Sequence, residues 1–205
     1  MKLLPQLIFF ISNIKLFIFK FDWIAPLLCR IYLVPIFWSA GIKKFNSFES
    51  IVYWFGEGGL DLPAPQLMAF LATASELVGA IFLTLGFATR LICIPLSFTM
   101  IVAAVTVHWQ YGWQAILDPG SPFAPPYADE GIERLEKARE ILDTHGNYDW
   151  LTETGNLVIL NNGIEFAATY LLLLIVLITI GGGRYVSADY WIFKAFVSYY
   201  QRKSG

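Results

Sequence analysis

The sequence predicts an all-α integral membrane protein: a four-helix transmembrane bundle with an N-terminal interfacial helix and a periplasmic helical insertion. Its 205 residues are 57% apolar and only 15% charged, a composition typical of membrane proteins rather than soluble domains. Four apolar runs have about the 20 residues that a helix needs to cross a bilayer core. A long polar segment separates the third run from the fourth.

The four predicted spans cover residues 23–42, 66–87, 91–109 and 163–183. Together with their connections they form one predicted membrane domain, residues 23–193, which includes the insertion at about residues 110–162. Residues 194–205 are predicted to form a cytoplasmic tail.

The N-terminal segment, residues 1–22, is apolar but carries Gln6, Asn13 and Lys20 at intervals of seven. A polar stripe of this kind predicts a helix that lies in the membrane interface. Lys15 interrupts the apolar stretch and no small-residue cleavage site follows, which argues against a removable signal peptide. A fifth span in residues 3–21 is the alternative.

Basic residues predict the orientation. With the amino terminus inside, the inner segments contain Lys2, Arg90, Arg184 and Arg202, whereas most outer basic residues lie in the long insertion, where the positive-inside rule weakens. We therefore expect both termini on the cytoplasmic side and the insertion outside.

The insertion opens with a proline-rich turn and continues as EGIERLEKAREILDTHG. Ile132, Leu135 and Ala138 repeat at helical spacing, and Gly146 supplies a stop, which predicts a short amphipathic helix. Its acidic residues are interpreted as a solvated face because their spacing does not resemble a calcium loop.

The sequence lacks the motifs that mark several kinds of functional site. There is no H-x-x-x-H, no methionine cluster and no cysteine pair, so no metal site is predicted, and Cys29 and Cys93 are interpreted as small apolar filler. The GGGRY segment follows an apolar run and opens no βαβ unit, so it is not a phosphate loop. A net charge of −2 without a basic surface excludes a nucleic-acid-binding protein.

Glu76 is the sequence's most informative residue, because it lies near the middle of the second predicted span. An ionised side chain there costs at least ~3 kcal/mol, so it must face the bundle interior. Small residues at helical spacing, including Ala69, Thr73 and Gly79, would let another helix approach that side. Depth in the membrane predicts Arg30 as its partner, either in a structural ion pair or as part of a ligand site.

A second polar layer is expected nearer the outer surface. His108 ends the third predicted span, Glu165 begins the fourth, and Lys44 follows the first. The alternative for His108 is an ordinary interfacial histidine. The alternative for Glu165 is a carboxylate stabilised by the dipole at a helix amino terminus.

Four segments carry a family resemblance: GIKKF, ASELVGAIFLTLGFATRL, HW and GGGRYVSADYWI, in that order. Over residues 26–193 they resemble the DoxX family of small four-span bacterial membrane proteins. The segment HGNYDWLTETGNLVILNNGIEFAATY further resembles the HvfX branch, which accompanies genes for copper-binding modified peptides. Val186 departs from the family pattern, which leaves the roles of Ser187 and Asp189 open.

The resemblance implies a bacterial inner-membrane accessory protein of a redox or copper-binding-peptide pathway. Some relatives are subunits of a quinone-linked oxidoreductase, so a quinone or similar amphipathic ligand is expected at a polar intrabundle site formed by Arg30, Glu76, His108, Glu165 and Lys44. The alternatives are a quinone-reactive oxidoreductase subunit, which leaves open whether the protein is an enzyme, and a small transporter or export partner for a copper-binding peptide. The internal repeat typical of transporters is not evident. Expected partners are membrane lipid, proteins of the pathway and a second copy of the chain.

Overall fold

The computed structural model describes residues 20–204, so the predicted N-terminal interfacial helix lies largely outside the described residues. The chain divides into two compact units. Of the described residues, one unit comprises 20–99 together with 171–204, and the other comprises 100–170.

The first unit is built around two long helices, α1 (Ile24–Asn46) and α3 (Pro65–Leu85), joined through the short helix α2 (Phe48–Phe55). Helices α1 and α3 pack against each other. Gly41 allows this close approach, because a Cβ atom there would lie 2.8 Å from Cδ2 of Leu77.

The face of α3 that carries Glu76 is buried, as predicted. Ala69, Thr73, Gly79 and Ala80 are buried on the same side, whereas Phe70 is exposed. A stripe of small residues therefore places the carboxylate inside the bundle.

Three further helices follow in the chain outside the insertion. Helix α4 (Thr89–Ala103) continues as a π-helical turn (Ala104–His108) and a 3-10 turn (Trp109–Tyr111). After the insertion come α7 (Glu165–Ile180) and α8 (Ala188–Ser204).

The all-α membrane fold is confirmed, but the count of four spans is not. Among the described residues three helical stretches are long and apolar enough to cross a membrane: Ile24–Asn46, Pro65–Leu85 and Thr89–Tyr111. The fourth predicted span is a helix of 16 residues, about 24 Å long at 1.5 Å per residue and shorter than a bilayer core of about 30 Å.

The second unit contains the insertion. Its predicted amphipathic helix is present as α5 (Ala128–His145), followed by the short α6 (Tyr148–Thr152). One antiparallel bridge, between Ile116 and Leu160, joins the two ends of the insertion. Asn161 reinforces it by donating to the carbonyl of Gln114 at 2.8 Å.

Three helices lie where the sequence pattern predicts none. Helix α2 lies in the connection between the first two spans, and the short α6 follows the predicted helix of the insertion. Helix α8 begins just before the segment predicted as a tail and continues through most of it. Helix α8 is exposed over most of its surface.

Candidate functional site

The polar centre of the first unit is an ion pair between Lys44 and Glu76. Lys44 Nζ donates to both carboxylate oxygens of Glu76 at 2.6 Å. The Glu76 side chain is 4% exposed and the Lys44 side chain 24% exposed. The carboxylate is thus sealed in the bundle, whereas the ammonium keeps access to the outside of it.

The predicted pairing of Arg30 with Glu76 is wrong. The apolar run alone places Lys44 beyond the first span, but α1 continues to Asn46 and carries Lys44 in its last turn. Arg30 lies fourteen positions earlier on the same helix, about 21 Å away along its axis. The two cations therefore cannot share one carboxylate, and Lys44 is the one that meets it.

Arg30 is buried and is satisfied by four backbone carbonyls. Its Nε donates to Leu83 O at 2.6 Å and its Nη2 to Thr84 O at 2.8 Å. Its Nη1 donates to Gly182 O at 2.8 Å and Val186 O at 3.1 Å. The first two carbonyls belong to the last turn of α3, the negative end of the helix dipole, which stabilises a cation there.

Asp189 lies close to Arg30, and its contacts show its structural role. Its carboxylate accepts from the backbone N–H groups of Ala88 at 2.6 Å and Thr89 at 2.9 Å, and so caps the start of α4. Its own N–H donates to Gly86 O at 3.0 Å. Ser187 donates to Gly183 O at 2.5 Å and accepts from the N–H of Tyr190 at 3.3 Å. Ser187 and Asp189 therefore each bond neighbouring segments together. The additional residue, Val186, does not prevent this.

Gly86 makes this corner possible. Its φ of +62° is left-handed, and a Cβ atom would lie 2.7 Å from Arg30 Nη1 and 2.6 Å from Ser187 Cβ. Only glycine lets the end of α3 turn this close to the guanidinium.

An open groove of about 730 Å³ lies beside Lys44. Helix α1 and the start of α2 form its walls, with Pro35, Ile36, Ala40 and Ile51 as apolar lining. The polar lining residues are Ser39, Lys43, Lys44 and Ser47. Apolar walls with a few polar groups are typical of sites for small amphipathic molecules.

The predicted outer layer is organised differently from the expectation. In the second unit, His108 Nδ1 lies 2.7 Å from Asn162 O, and Glu165 accepts from the N–H of Ala115 at 2.9 Å. Each side chain thus bonds to the backbone of the insertion, and the described residues contain no ion pair between them. Both residues hold the ends of the insertion in place.

Metal ligands do not cluster in the described part of the chain. No group of three or more histidine, cysteine or acidic side chains there is arranged to hold a metal ion. The buried polar groups described for the first unit include the Lys44–Glu76 pair and the Arg30 corner.

Sequence reasoning missed the groove and the capping role of Asp189. Pro35 inside α1 was a usable signal, because proline removes a helix hydrogen bond and often marks an irregular face. No local signal identifies the cap, since Asp189 lies about a hundred residues after the N–H groups that it accepts from.

The segment that contains the first three long helices is similar to a known protein family. Residues 25–109 match the model of the DoxX family. The DoxX resemblance is thus confirmed for this segment, which contains Arg30, Lys44, Glu76 and His108 but not Glu165. The match to the HvfX branch, which rested on the insertion, is not confirmed by this segment.

Two curated relatives are each similar to part of the chain. "Putative oxidoreductase CatD" of Bacillus subtilis (strain 168) is 36% identical over 84 residues, 41% of this chain and 60% of the relative. "Inner membrane protein YphA" of Escherichia coli (strain K12) is 34% identical over 82 residues, 40% of this chain and 57% of the relative. The chain therefore spans less than two thirds of either relative. No solved structure shows significant similarity.

Proposed function

We propose that this protein is an inner-membrane accessory protein of a redox pathway, and that its groove beside Lys44 binds a quinone or a similar amphipathic ligand. The Lys44–Glu76 pair carries this proposal. A lysine held at 2.6 Å from a buried carboxylate, at the edge of an open apolar groove, is a charged donor positioned at a ligand-sized space.

Lys44 has the hydrogen-bonding capacity for such a ligand. An ammonium has three N–H donors, and two of them are directed to Glu76. The third is available to a quinone carbonyl in the groove. Glu76 would hold the lysine in place, while Pro35 and Ile51 would contact the apolar part of the ligand.

The redox assignment rests on resemblance. One relative is named "Putative oxidoreductase", and the other is named an inner membrane protein. The HvfX-like insertion favours a copper-binding-peptide pathway as the setting. Both termini on the cytoplasmic side and the insertion in the periplasm belong to the same proposal.

Ligand binding can be tested in nanodiscs with decylubiquinone as the probe, measured by equilibrium partitioning against empty nanodiscs. The variant is Lys44→Met with Glu76→Gln, which removes the donor without leaving a buried carboxylate unpaired. We expect binding to weaken about tenfold or more, since a hydrogen bond to a charged donor contributes about 1.5–3 kcal/mol. Ser39→Leu should also weaken binding by filling the groove.

The matched control is Lys137→Met, which removes an exposed lysine of the second unit. It should bind like the native protein. If the double variant retains native affinity while folded by circular dichroism, the groove is not the quinone site.

A second candidate is a subunit that itself reacts with quinone, favoured by the name of the Bacillus relative. This candidate needs an electron donor, which would be a partner protein or a bound cofactor. Quinol formation by purified protein given an electron donor would support this candidate over the accessory role.

A further inference from the structure

We propose that α8 is an amphipathic surface helix that lies in the membrane interface and binds anionic phospholipid headgroups. This interaction surface is separate from the groove beside Lys44, and no part of the proposed function requires it.

The apolar residues of α8 are exposed although they are large. Ile192 is 54% exposed, Phe193 68%, Phe196 59% and Tyr199 61%. Nothing in the described part of the chain buries these side chains, and so many exposed aromatic residues on one helix mark an interaction site. Their aromatic character fits the headgroup level, where amphipathic rings are enriched.

Three of these four residues share one side of the helix. At 100° per residue, Ile192, Phe196 and Tyr199 fall within about 60° of each other, Phe193 lies at the flank, and Lys194, Ser198 and Gln201 fall on the opposite side. Lys203 falls on the aromatic side in the last turn, where its long side chain can extend to the headgroups. A helix of 17 residues with this division is too short and too polar to span a bilayer. It is suited to lie flat with the aromatic side in the acyl boundary.

The depth of α8 follows from the ends of the spanning helices. Asp189, in its first turn, caps α4 at Ala88 and Thr89 and donates to Gly86 O, just after α3 ends. The loop before it is also joined to the start of α1, because Arg184 lies 3.5 Å from Asp22. Helix α8 therefore begins at the level where three membrane helices begin or end, which is the membrane surface.

The charge of α8 selects the lipid. The helix carries Lys194, Arg202 and Lys203 against one acidic residue, Asp189, whose carboxylate is already engaged with backbone N–H groups. Lys194 lies 5.1 Å from the ring centre of Trp191, so the two terminal cations are the better placed to meet phosphate. Each basic residue near an anionic surface strengthens binding, so phosphatidylglycerol should be preferred over phosphatidylcholine.

The depth can be measured by spin labelling of the full chain in nanodiscs that contain phosphatidylcholine and phosphatidylglycerol. Single nitroxides are placed at Phe196→Cys and at Ser198→Cys in a background with Cys29→Ala and Cys93→Ala. We expect the Phe196 label to collide with oxygen more than with a water-soluble nickel complex, and the Ser198 label to show the reverse. Glu136→Cys, on exposed α5, supplies the aqueous reference.

Lipid preference is measured as the immobilised fraction of spin-labelled phosphatidylglycerol against that of spin-labelled phosphatidylcholine. Arg202→Gln with Lys203→Gln should reduce the preference about fivefold or more. The control double variant, Arg134→Gln with Lys137→Gln, removes two exposed charges from α5 and should leave it unchanged.

Three results would overturn the proposal. Nickel-dominated collisions at Phe196 would place α8 in water. Protection of the same label from both reagents would show that protein rather than lipid covers the aromatic side. An unchanged phosphatidylglycerol preference in the Arg202/Lys203 variant would show that these two cations do not bind the anionic headgroups. Neither variant touches the groove, so decylubiquinone binding can be scored independently.

Discussion

Lys44 and Glu76 are 32 positions apart in the chain, yet the lysine ammonium bonds both carboxylate oxygens at 2.6 Å. The pair joins the last turn of α1 to the middle of α3. Because only the carboxylate is fully sealed, we expect the two residues to contribute unequally to stability.

Removing Lys44 should lower the unfolding free energy more than removing Glu76. Lys44→Met leaves a carboxylate that is 4% exposed without a counter-charge and should cost about 3–5 kcal/mol. Glu76→Gln leaves a lysine that reaches water and should cost less. The double variant should recover part of the loss, as measured by thermal unfolding in detergent.

The exposed Glu130–Arg134 pair is the matched control. Its removal should change stability by about 0–1 kcal/mol. Equal costs for Lys44→Met and Glu76→Gln would contradict the unequal burial.

Arg30 and Glu76 should behave as independent sites. Since Arg30 bonds only to backbone carbonyls among its recorded partners, Arg30→Gln and Glu76→Gln should add within about 0.5 kcal/mol in a double-mutant cycle. The Lys44–Glu76 cycle, run beside it, should show strong coupling. A coupling for Arg30 and Glu76 as large as that for Lys44 and Glu76 would favour the pairing that depth in the membrane predicts.

The cap formed by Asp189 should contribute measurably to stability. Asp189→Ala removes the acceptor of two backbone N–H groups at the start of α4 and should lower the unfolding free energy by about 1–2 kcal/mol. Asp189→Asn keeps one oxygen and should cost less. Asp149→Ala, in the first turn of the short α6, is the control, and an equal loss there would show that the Asp189 cap is not special.

Topology is testable by reporter fusions after Gly146 and at Gly205. The distribution of basic residues predicts opposite compartments for the two positions. A common compartment would show that α7, only 16 residues long, does not cross the membrane.

Copper content provides a separate test of the pathway setting. Purified protein freed of partners should hold substoichiometric copper after mild chelation, because the described residues provide no ligand cluster. Stoichiometric, chelator-resistant copper measured by elemental analysis would contradict this expectation and show that the chain itself holds the metal.

The sequence by itself determined the features that depend on local pattern and solvent. Apolar length located the helices that now form α1, α3 and α4, because a bilayer demands about 20 apolar residues whatever the neighbours are. The cost of a buried charge placed Glu76 inside, and the small residues around it identified the packed face. Helical spacing located α5 in the same way.

Only the tertiary structure decided which groups meet. The partner of Glu76 depended on how far α1 continues past the apolar run, and Gly41 sets how closely it approaches α3. The four carbonyls around Arg30 come from two segments about a hundred residues apart. Backbone carbonyls are present at every residue, so no residue type marks the ones that will receive a buried cation. Their selection follows from where the helices end and turn, which is a property of packing rather than of composition.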